Sequence, residues 1–147
     1  MNDYKVLEQV SLFQNLEARY LKTIYKACTK RSFSPGDALV EQGTSGVGLF
    51  IIQSGSVKVQ KTTESGEHLD VATHGSGEVI GEFSVLDGAP RTADVIAVKE
   101  TECLLLSSWS FQAILKSHPE VALGILPLVV QRFRETNDAL MKCKGNG

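Results

Sequence analysis

The chain has 147 residues, 42% of them hydrophobic and 22% charged, with 13 glycines and 4 prolines, a balance that excludes a disordered or fibrous polymer. A formal net charge of −2 gives no general attraction for nucleic acid, and no apolar run approaches the ~20 residues of a membrane span. One core of ordinary size is expected, hence one domain over residues 1–147, in the cytoplasm, with no direct nucleic-acid or membrane partner.

From the N-terminus, Val10, Leu12, Phe13 and Leu16 suggest a short helix or turn, and residues 15–30 carry Leu21, Ile24, Tyr25 and Cys28 at helical spacing. Asn15 is the expected N-cap, with Glu17 favouring the helix dipole. Residues 1–30 therefore read as a helical part. From Arg31 the texture changes to short Val/Ile/Leu runs between glycine turns, predicting strands over 38–41, 48–53, 56–61, 68–74, 94–98 and 102–106. Ser54-Gly55 and Ser65-Gly66 supply tight turns, because glycine reaches positive φ without a steric penalty. The even spacing predicts a sandwich or jelly roll over residues 31–107, mainly β with flanking helices.

Helix signals return over residues 108–142. Ser108 is the expected cap of a short helix carrying Phe111, Ile114 and Leu115, and Pro119 the first residue of the next, with an apolar stripe of Ala122, Ile125, Leu126, Val129 and Phe133. Pro127 is expected to kink or break that helix, and the tail from Lys142 to fray. The three cysteines, Cys28, Cys103 and Cys143, lack any Cys-x-x-Cys spacing and read as buried thiols. His68, His74 and His118 form no ligand pattern and read as lone surface or rim histidines, so no metal site is expected. The chain holds no Gly-x-Ser-x-Gly elbow and no Walker Gly-Lys-Ser/Thr, so no catalytic residues are assigned and no enzyme is expected.

One stretch, residues 77–93, does not fit strand-turn-strand. It sets Gly81 and Glu82 before a short helix-compatible run and follows with Pro90, Arg91, Thr92 and Ala93. A surface loop with an incidental ion pair asks nothing of that order. A cyclic phosphate joined to a ribose does. Arg91 offers a guanidinium able to donate two parallel hydrogen bonds to phosphate oxygens. The backbone N–H groups of Phe83, Ser84 and Val85 would start a helix and add an anion site. Glu82 can accept from the ribose 2′-hydroxyl, Thr92 can donate to phosphate, and Gly81 lets the main chain approach the sugar.

The segment resembles the phosphate-binding cassette (residues 81–93) of the cyclic nucleotide-binding domain family, and Gly81, Glu82, Pro90, Arg91, Thr92 and Ala93 match its pattern. Pro35-Gly36-Asp37, Glu41-Gln42-Gly43, Phe50-Ile51-Ile52, residues 54–59 and Gly75-Ser76-Gly77 fall where that family has its turns and strands. The resemblance, which extends to the sensor domain of bacterial catabolite activator-type regulators, implies an eight-stranded jelly roll that holds cAMP, or cGMP, as a ligand and not as a cofactor. It implies Glu82 as the ribose contact, Arg91 as the phosphate clamp, the Ser84 amide at the phosphate, and Thr92 at phosphate or base. Val59, Val71 and Val95 become apolar walls near sugar and base, with plain core packing as the rival account. Thr136 and Asn137 fall where such activators contact adenine, a solvated helix end being the alternative.

The implied role is a sensor that moves its last helix to regulate a separate protein effector. That helix's apolar stripe also permits a homodimer, although such stripes more often face the chain's own core. The alternative is a degenerate member of the fold that docks proteins without nucleotide, against which stands the cost of burying Glu82 and Arg91 unpaired. The base itself is not legible in the residues. Bacterial texture favours cAMP, and Thr92 suits either base.

Overall fold

The computed structural model describes the backbone of residues 3–43, 48–81 and 93–145 and side chains up to Asp138. Two 3-10 segments, Asp3–Gln9 and Ser11–Phe13, lead into helix α1 (Ala18–Ala27). Eight strands follow: β1 (Thr29–Phe33), β2 (Ala38–Val40), β3 (Gly48–Ser54), β4 (Ser56–Thr62), β5 (His68–Gly75), β6 (Val79–Ile80), β7 (Asp94–Ala97) and β8 (Thr101–Ser107). Helices α2 (Ser108–Ser117) and α3 (Pro119–Gly145) complete the described chain. The strands form two four-stranded antiparallel sheets, in the orders β1-β8-β3-β6 and β2-β7-β4-β5.

The unbroken apolar run of β3 reflects burial on both faces. Leu49 and Ile51 join Leu104 and Leu106 of β8 in a core completed by Leu7, Phe13, Ile24, Phe111 and Val121 from the helices. Phe50 and Ile52 point the other way, into a core between the sheets with Leu39, Val57, Ile80, Val95, Ala97 and Cys103. Phe13 and Phe111 meet at 6.0 Å between ring centroids across the helical layer.

Turns and polar side chains lock the strand ends. Gly36 (φ +93°) donates its N–H to the Ala97 carbonyl at 2.8 Å, and Ala97 donates back to the Asp37 carbonyl at 2.8 Å. Gln42 imitates a strand residue: its Oε1 accepts from the Thr62 N–H at 3.0 Å, and its own N–H donates to Asp94 Oδ1 at 2.6 Å. Gly55 turns β3 into β4 at φ +107°, packed so tightly that a Cβ there would lie 2.6 Å from the Glu100 carbonyl oxygen.

Several expectations are corrected. The first helix starts at Ala18 with Glu17 in the N-cap position and no side-chain cap, while Glu17 pairs with Arg19 at 3.1 Å. Asn15 instead donates to the Gly124 carbonyl at 3.4 Å, a tertiary bond no local pattern encodes. That helix ends at Ala27 and the chain enters β1 at Thr29, a strand not foreseen because its residues are mostly exposed. The two-residue β6 was also not foreseen. Ser107, not Ser108, caps α2, its hydroxyl accepting from the Ser110 N–H at 3.2 Å. Pro127 lies inside a continuous helix, and the backbone stays helical to Gly145.

The stripe on that helix divides: Ile125 is buried and Val129 packs on the core, whereas Leu126 and Phe133 are 54% and 66% exposed. Cys103 is buried and Cys28 half-buried, and desolvation pushes their thiols up to about 11 and about 12, as fits structural cysteines; the Cys143 side chain lies outside the described residues. Replacing Gly55 by alanine should cost more than about 1 kcal/mol, because the positive φ and the Glu100 carbonyl both oppose a side chain. Chemical denaturation of Gly55→Ala beside the parent chain measures this.

Candidate functional site

The approach to residues 81–93 is built by backbone bonds to β3. Gly77 donates to the Ile52 carbonyl at 2.7 Å, and Ile52 donates to the Glu78 carbonyl at 2.9 Å. β6 then pairs Val79 with Ile51 and Ile80 with Phe50, which carries the chain to the edge of the inter-sheet core. There Gly81 adopts φ +78°, a conformation that L side chains resist, as a tight backbone approach requires. Gly77 (φ +85°) closes the preceding turn against the first 3-10 segment: a Cβ on it would strike the Gln9 side chain.

Glu82, Phe83, Ser84, Arg91 and Thr92 lie outside the described residues. Of the apolar walls, Val59 and Val95 are brought together as direct register partners on β4 and β7, Val95 buried and Val59 packed against the inter-sheet core. Val40 pairs with Val95 and Ala72 with Val59, extending one inward row across the sheet. Val71 is set apart. The pairing steps from Val59–Ala72 to Gln60–Asp70, so Val71 is the extra residue of a β-bulge and is 56% exposed.

Thr136 and Asn137 are exposed on α3, which packs on α2 and the second 3-10 segment. The Thr136 hydroxyl donates to its own helix at the Arg132 carbonyl, 3.0 Å away. Arg132 in turn donates to Ser11 Oγ at 2.6 Å, tying α3 to the second 3-10 segment.

The three histidines read as lone prove to be partnered, His68 through its Nδ1 to the Thr62 hydroxyl at 3.1 Å. His74 Nδ1 bonds the Glu78 carboxylate across the β5–β6 turn, and Glu78 also accepts from the Gly75 N–H at 3.3 Å. The bond to His74, then that from Gly75, holds the Glu78 carboxyl below its ordinary range. The sequence carried only a faint signal of this pair, a Glu four residues after a His across two glycines. His118 stacks edge-on against Tyr20, with ring centroids 5.8 Å apart. Among the described residues no group of His, Cys, Asp and Glu could hold a metal ion, and no single helix is long and apolar enough to cross a membrane.

This is the geometry of a two-sheet β-roll in which β6 brings the chain, at Gly81, to the edge of the inter-sheet core. Residues 30–118 match the family model of the cyclic nucleotide-binding domain. The chain is 31% identical over 126 residues to the cyclic AMP receptor protein of Thermus thermophilus, covering 86% of this chain and 58% of that protein. It is 37% identical over 98 residues to a cAMP-dependent protein kinase regulatory subunit of Mycosarcoma maydis, covering 67% of this chain and 18% of that one. Among solved structures it is similar to the N-terminal domain of a transcriptional regulator from Streptomyces coelicolor A3(2). That match has a TM-score of 0.84 and 34% identity, over 91% of this chain and 96% of that one. The chain belongs to the cyclic nucleotide-binding domain family.

Because the Glu78 carboxyl is depressed in the folded state, the unfolded chain binds the extra proton in acid. The stability this pair contributes is therefore present at neutral pH and lost as pH falls through the carboxylate range. The melting-temperature difference between the parent chain and Glu78→Gln should be measurable at pH 7 and shrink below about pH 4.

Proposed function

We propose that this domain binds a cyclic nucleotide monophosphate, cAMP in preference to cGMP, and acts by binding alone, as a cytoplasmic sensor whose output passes to a protein effector. The observation that carries this is the left-handed Gly81 at the end of β6, followed in sequence by Glu82 and by Pro90-Arg91-Thr92-Ala93. In this reading Glu82 accepts from the ribose hydroxyl and Arg91 clamps the cyclic phosphate with two charge-assisted hydrogen bonds. The amides of Phe83 and Ser84 and the Thr92 hydroxyl complete the anion site, and Val59 and Val95 form the apolar wall, with Val71 at its rim.

Transmission runs through α3. Val121 and Ile125 seat its first half in the helical core, while beyond Pro127 the described anchors include the half-buried Val129 and the Arg132–Ser11 bond. A ligand that favours one seating of the distal half shifts the population toward it. The same helix leaves Leu123, Leu126, Val130 and Phe133 exposed at 3-4-3 spacing, and the first three of them line an open groove of about 620 Å³. That spacing is a coiled-coil seam and supports a homodimer through α3, with Asn137 next along it and Thr136 beside it. On this account the groove is an interface and not the nucleotide chamber.

Calorimetric titration should give a single saturable site for cAMP, and Arg91→Ala should weaken it by about 2–5 kcal/mol, by leaving the phosphate without its charged partner. A folded parent chain that takes up neither nucleotide would instead favour a degenerate domain that docks proteins. Sedimentation should show a dimer that Leu126→Glu with Phe133→Glu converts to a monomer with the far-ultraviolet dichroism of the parent chain, since both side chains are exposed on the single chain.

A further inference from the structure

His74 has a defined place on the inner face of the sheet. Its register partner on β4 is Val57, which is wholly buried and pairs in turn with Ala97 of β7. Side chains two apart on a strand share a face, so His74 lies on the same face as Ala72, the end of the row Ala72–Val59–Val95. Diagonal neighbours on one face of an antiparallel pair are about 7–8 Å apart, within reach of a long side chain. The imidazole thus stands one row along from Val59, and with its side chain 31% exposed it is not sealed into the core.

Its electronic state is set by what surrounds it. Val57 and Ala72 are apolar, the side chain reaching this turn from the first 3-10 segment is the neutral Gln9, and β3 contributes backbone bonds from Ile52. Among the described residues Glu78 is the ionisable group bonded to His74. An ionised carboxylate only accepts, so a neutral imidazole beside it places its proton on Nδ1 and leaves a lone pair on Nε2. No hydrogen bond to Nε2 occurs among the described residues.

We propose that His74, oriented by Glu78, reads the base of the bound nucleotide: Nε2 accepts a hydrogen bond from the exocyclic amino group of adenine and so selects cAMP over cGMP. This rests on the nucleotide-binding reading above. Guanine carries a carbonyl where adenine carries the amino group, and that oxygen faces the Nε2 lone pair without a proton between them. Protonation reverses the code, because the imidazolium donates from Nε2 and favours the carbonyl.

The test is calorimetric titration with cAMP, cGMP and the cyclic monophosphate of purine riboside, which lacks the amino group, between pH 5.5 and 8. For the parent chain at pH 8, losing the amino group should weaken binding roughly three- to tenfold, the yield of one neutral hydrogen bond. The cAMP-to-cGMP affinity ratio should narrow toward the acid end of that pH range, as the imidazolium replaces the neutral ring. His74→Leu should weaken cAMP by the same factor, spare cGMP and make the ratio independent of pH, and Glu78→Gln should move it partway. An unchanged ratio in His74→Leu, equal losses for both nucleotides, or a flat ratio in the parent chain would overturn the assignment and leave His74 as a clasp of the turn. A parent chain that binds none of the three defeats the nucleotide reading itself, whereas binding with unaltered selectivity defeats only base reading. If melting without ligand shows that His74→Leu is unfolded, the purine riboside comparison and the pH profile of the parent chain decide the matter.

Discussion

The β3–β8 pair is the constraint on which the rest of the molecule hangs. Its residues alternate between two cores: Leu49, Ile51, Leu104 and Leu106 face the helices, and Phe50, Ile52 and Cys103 face the space between the sheets. The strands approach so closely at Gly48 that a Cβ there would sit 2.1 Å from the Leu106 carbonyl oxygen. Interiors packed at crystal-like density do not deform smoothly, so a displacement of either strand is felt on both sides. The helical layer and the inter-sheet layer thus share one wall.

The position of the chain as it enters Gly81 is inherited from that wall. Two backbone bonds from Ile52 and the pairing of β6 with Phe50 and Ile51 hold the chain just before Gly81. The contact of Gly77 with Gln9 brings the first 3-10 segment to the same turn, and the His74–Glu78 bond joins β5 to the residue that precedes β6. The two sheets therefore meet at this end through a polar clasp, while Phe50, Ile52 and Val57 fill the interior behind it with apolar packing.

The relatives show that one roll serves proteins of very different build, a receptor protein and a kinase regulatory subunit among them. Since a fold does not carry a function by itself, the distinctive chemistry of this chain lies in what its scaffold displays. Two features stand out: an imidazole on the inner face beside Val57 and Ala72, and a helix whose exposed side chains keep coiled-coil spacing beyond the point where the core releases it.

What the sequence determined by itself was set by short-range physics. Alternating and continuous apolar runs marked the strands β2 to β5, β7 and β8, glycines marked turns that need positive φ, and Pro119 marked a helix start. The order Gly81-Glu82 to Arg91-Thr92 was legible because charge and hydrogen-bonding needs are written in residue type. Tertiary structure alone decided the rest. β1 is a strand because β8 offers it a ladder, despite an exposed Thr-Lys-Arg-Ser. Asn15 leaves its expected cap because the Gly124 carbonyl comes within reach. Pro127 stays inside a continuous helix, and the carbonyl it cannot bond belongs to Leu123, whose residue is 68% exposed on the single chain and outside the core. His74 became part of a pair on the inner face only when the register of β4 and β5 and the turn to β6 set it beside Glu78. Such contacts depend on where distant backbone lies, and no local pattern of residues encodes that.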